Sequence, residues 1–323
     1  MSKMATLPNG LVTFGPNANC TLDLCPLEAS LLRYRPSIPA NVVFICVFGL
    51  SMLLHVWQGW RTKTWGFMSC MISGCILEII GYIGRLIVYN NPFDFNGFLM
   101  QIICITVAPV FFCSAIYVLL SQVINYVDAS ISRIKPQAFY WFFIPCDVVS
   151  LVLQAVGGAL SCVGSTKHDV EIGENISLAG LIFQVITLVI FISLFADYVW
   201  RAKKSSSEYR LDKTMLIFLS FLFFSTFFIL VRCAYRIVEL QEGYFSAIFR
   251  DEPLFIALES CIMCVAVVLL NLGHPGKVFA KKQQRPLDTE QPCEELELSV
   301  PSPRAGSPEN VSVSDLCKNR SSS

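Results

Sequence analysis

The chain has 323 residues and a formal net charge of zero; 54% of its residues are hydrophobic and 15% are charged. Its mean hydropathy of +0.58 lies far above that of an ordinary soluble domain. These values exclude a soluble globular protein, and the balanced charge gives no reason to expect a nucleic-acid partner. The composition predicts an integral membrane protein.

Apolar stretches long enough to cross a bilayer recur along the whole chain. Because hydrocarbon offers no partner to backbone groups, each stretch must be a helix, and all are too long for barrel strands. The predicted spans are 38–57, 65–89, 98–126, 139–163, 178–200, 214–240 and 254–272. The expected fold is therefore all-α, with seven transmembrane helices.

The orientation of the helices is predicted from lysine and arginine near their ends, since these residues accumulate on the cytosolic side. The segments after helices one, three, five and seven are basic, whereas the alternate loops hold few basic residues. The basic residues are Arg61, Lys63, Arg133, Lys135, Arg201, Lys203, Lys204, Arg210, Lys213, Lys277, Lys281, Lys282 and Arg285. This pattern places the N-terminus outside and the C-terminus in the cytosol.

Three regions follow from this topology. Residues 1–37 form an extracytoplasmic tail, residues 38–276 the seven-helix domain, and residues 277–323 a cytosolic tail. The last region is rich in serine, proline and glutamate, so it cannot bury enough apolar surface to fold alone and is expected to be disordered. It is also a candidate contact for a cytosolic partner.

Two features of the predicted outer side concern modification. Asn19 begins a glycosylation sequon in the N-terminal tail, and Asn175 begins one in the expected loop after helix four. Cys20 and Cys25 are candidates for a disulfide in the outer tail. Cys162 lies near the same side, so the sequence leaves the pairing open.

Ionisable residues inside membrane helices are unfavourable and usually face protein or water, which makes them candidates for function. In helix two, Glu78, Tyr82 and Arg85 share one face at helical spacing. In helix four, Asp147 and Gln154 do the same. With the predicted topology, Arg85 lies in the outer half, Glu78 near the middle and Asp147 towards the cytosol.

Helix six adds a second charged stretch, FILVRCAYRIVEL, which contains Arg232, Tyr235, Arg236 and Glu239. Helix seven adds Glu259. Two interpretations are open: the charges pair and fix helix packing, with Arg236 and Glu239 reaching the boundary, or they line a polar path open mainly to the outside. Arg232 lies deepest of the helix-six charges and needs an acid, for which Glu259 and Glu78 lie nearest in depth.

Motifs for catalysis are absent from the sequence. It contains no glycine-rich phosphate loop and no HExxH cluster, and its histidines, His55, His168 and His274, are scattered. His55, at the inner end of helix one, is expected at the membrane interface. The sequence therefore predicts neither an enzyme, nor a cofactor, nor a metal site.

Several motifs in order resemble a known family. They are EIIGYIGR in helix two, APVFFCSAIY in helix three, FIPCDVVSLVLQAVGG in helix four, LVRCAYRIVEL in helix six, Glu259, and the closing HPG. Together they resemble the fungal lipid-translocating exporter family of aminocholesterol-resistance type, which includes the sphingoid long-chain-base exporter. The resemblance covers most of residues 33–276. One departure is that Cys261 and Cys264 follow Glu259, where the family has an aromatic and an acidic residue.

The resemblance implies movement of sphingoid long-chain bases, related lipids or toxic amphiphiles from the cytosolic to the outer leaflet, with membrane lipids as partners. The expected location is the plasma membrane, with another membrane of the secretory pathway as the alternative. The residues at motif positions are Glu78, Tyr82, Arg85, Asp147, Gln154, Arg232, Tyr235, Arg236, Glu239 and Glu259. The carboxylates among them suggest a series of counter-ions for an ammonium headgroup. The alternative is a seven-helix receptor or sensor that binds a lipid or small molecule in an outer polar vestibule.

Overall fold

The computed structural model of the protein describes residues 7, 10–127, 132–164, 167–204, 213–242 and 249–276. Within these residues, seven helices are long and apolar enough to span a membrane, as predicted. They are α1 (Ile38–Thr62), α2 (Trp65–Asn90), α3 (Phe95–Val127), α4 (Pro136–Val163), α5 (Lys167–Lys204), α6 (Lys213–Gln241) and α7 (Glu252–Leu272). The predicted C-terminal tail lies outside the described residues.

The helices pack in chain order, each against the next, and α7 closes the bundle by contacting both α6 and α1. Helix α3 also contacts α6 across the bundle, and its buried residues run along its whole length. We call the end of the bundle beside residues 10–37 the outer end, after the orientation predicted from charge. The opposite end is the inner end.

Close approach of α2 and α3 depends on glycine. A side-chain carbon at Gly84 would lie 2.8 Å from the backbone nitrogen of Gln101 and 2.9 Å from the carbonyl oxygen of Gly97. Backbone atoms cannot move aside as a flexible side chain can. The two helices therefore meet at van der Waals distance in the outer half because Gly84 has no side chain.

Residues 10–37 lie against the outer end of the bundle. Phe14 makes edge-to-face contacts with Phe95 and Phe98 of α3, with ring centroids 5.3 and 5.4 Å apart. Leu31 and Leu32 are buried in the same apolar cluster. Cys20 and Cys25 form a disulfide in the structure. The segment is therefore a packed cover over the outer end.

Aromatic rings close the inner half. Tyr117 of α3 packs against Phe143 of α4 and Phe191 of α5, at centroid distances of 5.4 and 4.5 Å, and Phe191 also contacts Phe139 and Phe195. All of these rings are buried. Since α3, α4 and α5 meet here side chain to side chain, the inner half has a dense core.

The tryptophans show where this end meets its surroundings. All five, Trp57, Trp60, Trp65, Trp141 and Trp200, lie at the inner end with exposed side chains. Arg61 and Lys204 lie over the rings of Trp57 and Trp200. Tryptophan flanked by basic residues is typical of a membrane interface.

Two expectations about the loops and ends are wrong. Asn175 does not lie in a loop, because α5 begins at Lys167 and continues through the polar residues before the apolar core. The hydroxyl of Ser177, the third residue of that sequon, donates to the Gln154 carbonyl at 3.0 Å. His55 is not at the interface but fully buried, with its ring 5.7 Å from Phe67 and 6.3 Å from His274.

Candidate functional site

A small polar cavity lies under the N-terminal segment in the outer half of the bundle. Its volume of about 20 Å³ is enough for a water molecule and no more. Side chains from the N-terminal segment, α2, α3, α6 and α7 surround it. The lining residues are Leu32, Tyr34, Arg85, Gln101, Ile102, Ile105, Thr106, Arg236, Glu239, Phe249, Phe255 and Glu259.

Arg85 joins three elements at this cavity. Its Nε donates to Asn41 of α1 at 3.1 Å, and its second guanidinium nitrogen donates to the Tyr34 hydroxyl at 3.3 Å and lies 3.5 Å from the Glu252 carboxylate. The guanidinium also lies over the ring of Phe255, 4.0 Å from its centroid. Every face of this buried cation is therefore engaged, which holds the cover segment, α1 and α7 together.

Tyr34 contributes a hydroxyl from outside the membrane spans. Burial raises the pKa of the phenol above its usual value of 10.0, although the Arg85 guanidinium opposes the shift. The phenol consequently stays neutral at physiological pH, and its oxygen accepts a hydrogen bond from Arg85.

A buried cluster of one cation and two acids lies deeper. Arg232 of α6 donates to the Ile105 carbonyl at 2.6 Å and to Glu259 Oε1 at 2.5 Å, so its acid is one of the two expected. Glu78 of α2 interacts electrostatically with both Arg232 and Glu259. Glu259 lies in a π-helical turn of α7, Phe255–Cys261, a distortion often found at functional sites.

Arg236 and Glu239 form an ion pair one turn above this cluster. Glu239 is only 3% exposed and both residues line the polar cavity, so neither reaches past the bundle to the boundary. Tyr235 is also buried beside them. The pairing expected by the first interpretation is therefore observed for Arg236 and Glu239. Their position in the cavity wall also suits a polar path, so the two interpretations hold together for this pair.

The remaining predicted residues have separate roles. Asp147 lies in the inner half, where its carboxylate accepts a hydrogen bond from Tyr117 at 3.0 Å. Gln154 donates to Ser150 and to the Gln184 side-chain oxygen, joining α4 to α5. Tyr82 is buried between Phe44 and Phe48 of α1. The structure thus brings the helix-two, helix-six and helix-seven residues together in the outer half, whereas Asp147 lies apart from them. Gln154 lines a neighbouring groove that Arg236 also lines.

An apolar groove adjoins the polar cavity. It has a volume of about 440 Å³, in the range of sites for small molecules, and it runs between α3 and α4 beneath the N-terminal segment. Ile102, Thr106 and Arg236 line both spaces. The rest of its wall is mostly apolar and includes Phe14, Leu31, Phe98, Ile103, Leu151, Ala155, Ala159, Leu181 and Leu240.

Four contributors were missed from the sequence. Tyr34 and Glu252 lie at the borders of the predicted spans, where a polar residue is ordinary, and Asn41 and Tyr117 lie within spans without a charge to draw attention. Glu252 could have been found from the sequence, because a buried Arg85 requires an acidic partner and Glu252 lies at a similar depth in the predicted bundle.

Comparison with known proteins identifies the family of the chain. Residues 71–282 match the family model described as RTA1 like protein. The chain belongs to this family. No solved structure matches the chain. The match spans the helices that supply Glu78, Arg85, Arg232 and Glu259 and includes no residue of the N-terminal cover, residues 10–37.

Three relatives illustrate the family. The sphingoid long-chain base transporter RSB1 of Saccharomyces cerevisiae is 32% identical over 279 residues, covering 76% of this chain and 73% of the relative. Protein RTM1 of the same species is 29% identical, covering 65% and 68%. The lipid-translocating exporter-like protein RTA1 of Leptosphaeria maculans is 27% identical, covering 78% and 52%. The RTA1-like family is thus of transporter type, so the chain is a multi-pass membrane protein and not an enzyme.

Proposed function

We propose that this RTA1-like protein moves amphiphilic lipids, most directly sphingoid long-chain bases, from the cytosolic to the outer leaflet of the plasma membrane. The observation that carries the proposal is the junction of a charged cavity with an apolar groove at Ile102, Thr106 and Arg236. An amphiphile has the same division: a polar headgroup fits the cavity and an apolar tail fits the groove.

The chemistry of the cavity suits an amino headgroup. Glu259 Oε2 and Gln101 Oε1 are buried and have no hydrogen-bond partner. Both residues line the cavity, and both atoms are acceptors. An ammonium group has three N–H donors, so it would satisfy acceptors that are otherwise unpaired.

The size of the cavity fits a closed state of a transporter. With about 20 Å³ of space, it must widen before a headgroup can enter. The cover formed by residues 10–37 and the aromatic core of the inner half restrict access from the two ends. Movement of a lipid therefore requires these two closures to open in turn, as in other transporters with a central site. The names of RSB1 and RTA1 support the same function.

A liposome assay tests the proposal. Purified protein is reconstituted, and a long-chain base with a fluorescent tail is added to one leaflet; its arrival in the other leaflet is followed by quenching. We expect protein-dependent movement of the base and little movement of a phosphatidylcholine probe. Saturable binding without movement would overturn the proposal and favour the receptor or sensor.

A groove variant and a matched control locate the path. Ala155 lines the groove, whereas Val152, on the same helix, is exposed at the bundle surface. We expect Ala155→Phe to fill the groove and lower the rate by about tenfold or more, which is the effect of about 1.4 kcal/mol on a barrier. Val152→Phe should leave the rate unchanged. Equal rates for the two variants would contradict a tail path through the groove.

A further inference from the structure

The ion pairs of the outer half leave one carboxyl group over. Among the described residues, Arg85 pairs with Glu252, Arg232 with Glu259, and Arg236 with Glu239. Glu78 is 0% exposed, and neither of its carboxyl oxygens has a hydrogen-bond partner. A buried carboxylate without a partner is unfavourable, so Glu78 requires neutralisation by a proton or by a neighbouring cation.

The charged groups around Glu78 do not balance, because there are fewer cations than carboxyl groups. Arg232 of α6 is the cation that faces it, and Glu259 of α7 is a second acid. Helix α1 presents the Ser51 hydroxyl, which lies beside Cys75 and accepts a hydrogen bond from Asn271. The other titratable groups that interact electrostatically with Glu78 are Cys75 and Tyr82 of α2, Cys104 of α3 and Cys264 of α7. One guanidinium thus faces two carboxyl groups, and the cluster of Glu78, Arg232 and Glu259 is short of one positive charge.

Two different cations can supply that charge. A proton can neutralise Glu78 directly. An ammonium group in the polar cavity can instead meet Glu259, which lines the cavity and whose Oε2 is buried without a hydrogen-bond partner. If both were present, the cluster would hold an excess positive charge in a low-dielectric interior, which is unfavourable. Binding of the proton and binding of the ammonium are therefore mutually exclusive, because either one alone neutralises the cluster, although the proton binds Glu78 and the ammonium binds Glu259.

We propose that Glu78 is a proton-binding site that couples the protein to a proton gradient, with one proton exchanged for each cationic lipid. The coupling rests on the proposed function, since it requires an ammonium-bearing cargo. In one cycle, a proton leaves Glu78 as the ammonium enters from the inner side. After the lipid departs outward, a proton from outside returns to Glu78 and is released inward in the next cycle.

The charges of this cycle balance. Each cycle carries one positive charge outward on the lipid and one positive charge inward as the proton. The exchange is therefore electroneutral, and a membrane potential alone should not drive it. An outside pH one unit lower than the inside sustains about a tenfold gradient of a cargo exchanged one for one, because one pH unit corresponds to about a tenfold change in equilibrium.

The first experiment uses the unaltered protein. A long-chain base in its ammonium form is titrated into the detergent-solubilised protein in weakly buffered solution with a pH indicator dye. We expect about one proton released for each base bound, and none for the uncharged N-acetylated base. Binding without proton release would overturn the coupling while leaving the proposed transport function intact.

The second experiment uses liposomes with an imposed pH gradient and a dye for internal pH. The unaltered protein should accumulate the base on the acidic side beyond the level in protein-free liposomes and should dissipate the pH gradient. Equal movement of base with and without the gradient, with no proton flux, would overturn the coupling. Absence of any protein-dependent movement would instead contradict the proposed function.

Two variants complete the test. Glu78→Gln keeps the shape of the side chain but cannot release a proton. Because the neutral side chain leaves the cluster in the charge state of protonated Glu78, a bound ammonium would add an excess positive charge, and we expect binding of the base to weaken by about tenfold or more. Binding that remains should release no proton, and accumulation and proton flux should be lost. Glu171→Gln, an exposed glutamate at the outer end of α5, should behave as the unaltered protein. Proton-driven accumulation that persists in Glu78→Gln would overturn the assignment of Glu78 as the proton-binding site. If this variant fails to fold, the proton-release titration of the unaltered protein tests the coupling on its own.

Discussion

In the outer half of the bundle, arginines and glutamates from α2, α6 and α7 surround a small cavity that adjoins an apolar groove. In the inner half, aromatic rings fill the space between α3, α4 and α5. Asp147 lies in the inner half, joined to Tyr117. The outer half contains buried ion pairs and unfilled volume, whereas the inner half is densely packed. The difference indicates that the cavity and the groove belong to the outer half, whereas the inner half is closed by dense packing.

The strongest test of this contrast removes the deepest cation. Arg232→Ala should lower the free energy of unfolding by about 3–5 kcal/mol, because it leaves the buried Glu259 carboxylate without its partner. The measurement is an SDS titration of purified protein in mixed micelles. Arg133→Ala is the control: its side chain is 60% exposed in a surface pair with Asp197, so about 0–1 kcal/mol is expected. Similar losses for both would mean that the outer charges do not form an integrated cluster.

The inner half should respond to a smaller change. Tyr117→Phe removes the donor to Asp147 while keeping the ring among Phe143 and Phe191, and we expect a loss of about 2 kcal/mol of unfolding free energy. A double-mutant cycle with Asp147→Asn should give a coupling energy of about 1 kcal/mol or more. If the losses of the two single variants simply added in the double variant, the hydrogen bond between Tyr117 and Asp147 would not contribute, and ring packing alone would stabilise the inner half.

Helix approach in the outer half offers a third test. Gly84→Ala would bring a methyl group against the backbone of Gln101 and Gly97, so we expect a loss of about 1–2 kcal/mol after the gain in helix propensity. Gly49 of α1 is the matched control, since nothing lies within 4 Å of an added carbon there. Gly49→Ala should be neutral or stabilising by up to about 1 kcal/mol. Thermal unfolding followed by fluorescence-detected gel filtration ranks the two variants.

The smallest effect is expected at the cover. Tyr34→Phe removes the oxygen that accepts from Arg85 at 3.3 Å, at a loss of about 1 kcal/mol. Because burial raises the pKa of Tyr34 from 10.0, the phenol's contribution is fully present below pH 10 and is lost only above it. The difference between the two proteins should therefore stay constant from pH 6 to pH 9. A difference that falls within this range would contradict a neutral phenol at this site.

The fold was largely predictable from the sequence, because a bilayer forces apolar stretches of this length into helices. The site was predictable only in part. Helical spacing placed Glu78 with Arg85, and depth suggested Glu259 as the partner of Arg232. Contacts between distant elements could not be derived in this way. Arg85 and Glu252 are separated by most of the chain, and only the packing of α7 against α1 brings them together.

The groove and the extension of α5 were unpredictable for different reasons. A groove depends on volume left between several helices, which no single periodicity encodes. The first turns of α5 are polar, so hydropathy ended the prediction at residue 178, whereas the helix continues to Lys167 because water can satisfy its side chains there. Asn175 consequently occupies a helix and not the loop expected for its sequon.

The placement of the tryptophans gives the protein a built-in optical reporter. Since all five indoles lie at the inner end, intrinsic emission carries no direct contribution from the outer cavity. A spectral change on adding a long-chain base would thus be a signal relayed along the bundle from the outer half to the inner end. Its time course would measure how quickly the inner end responds to occupancy of the outer cavity, with no label attached.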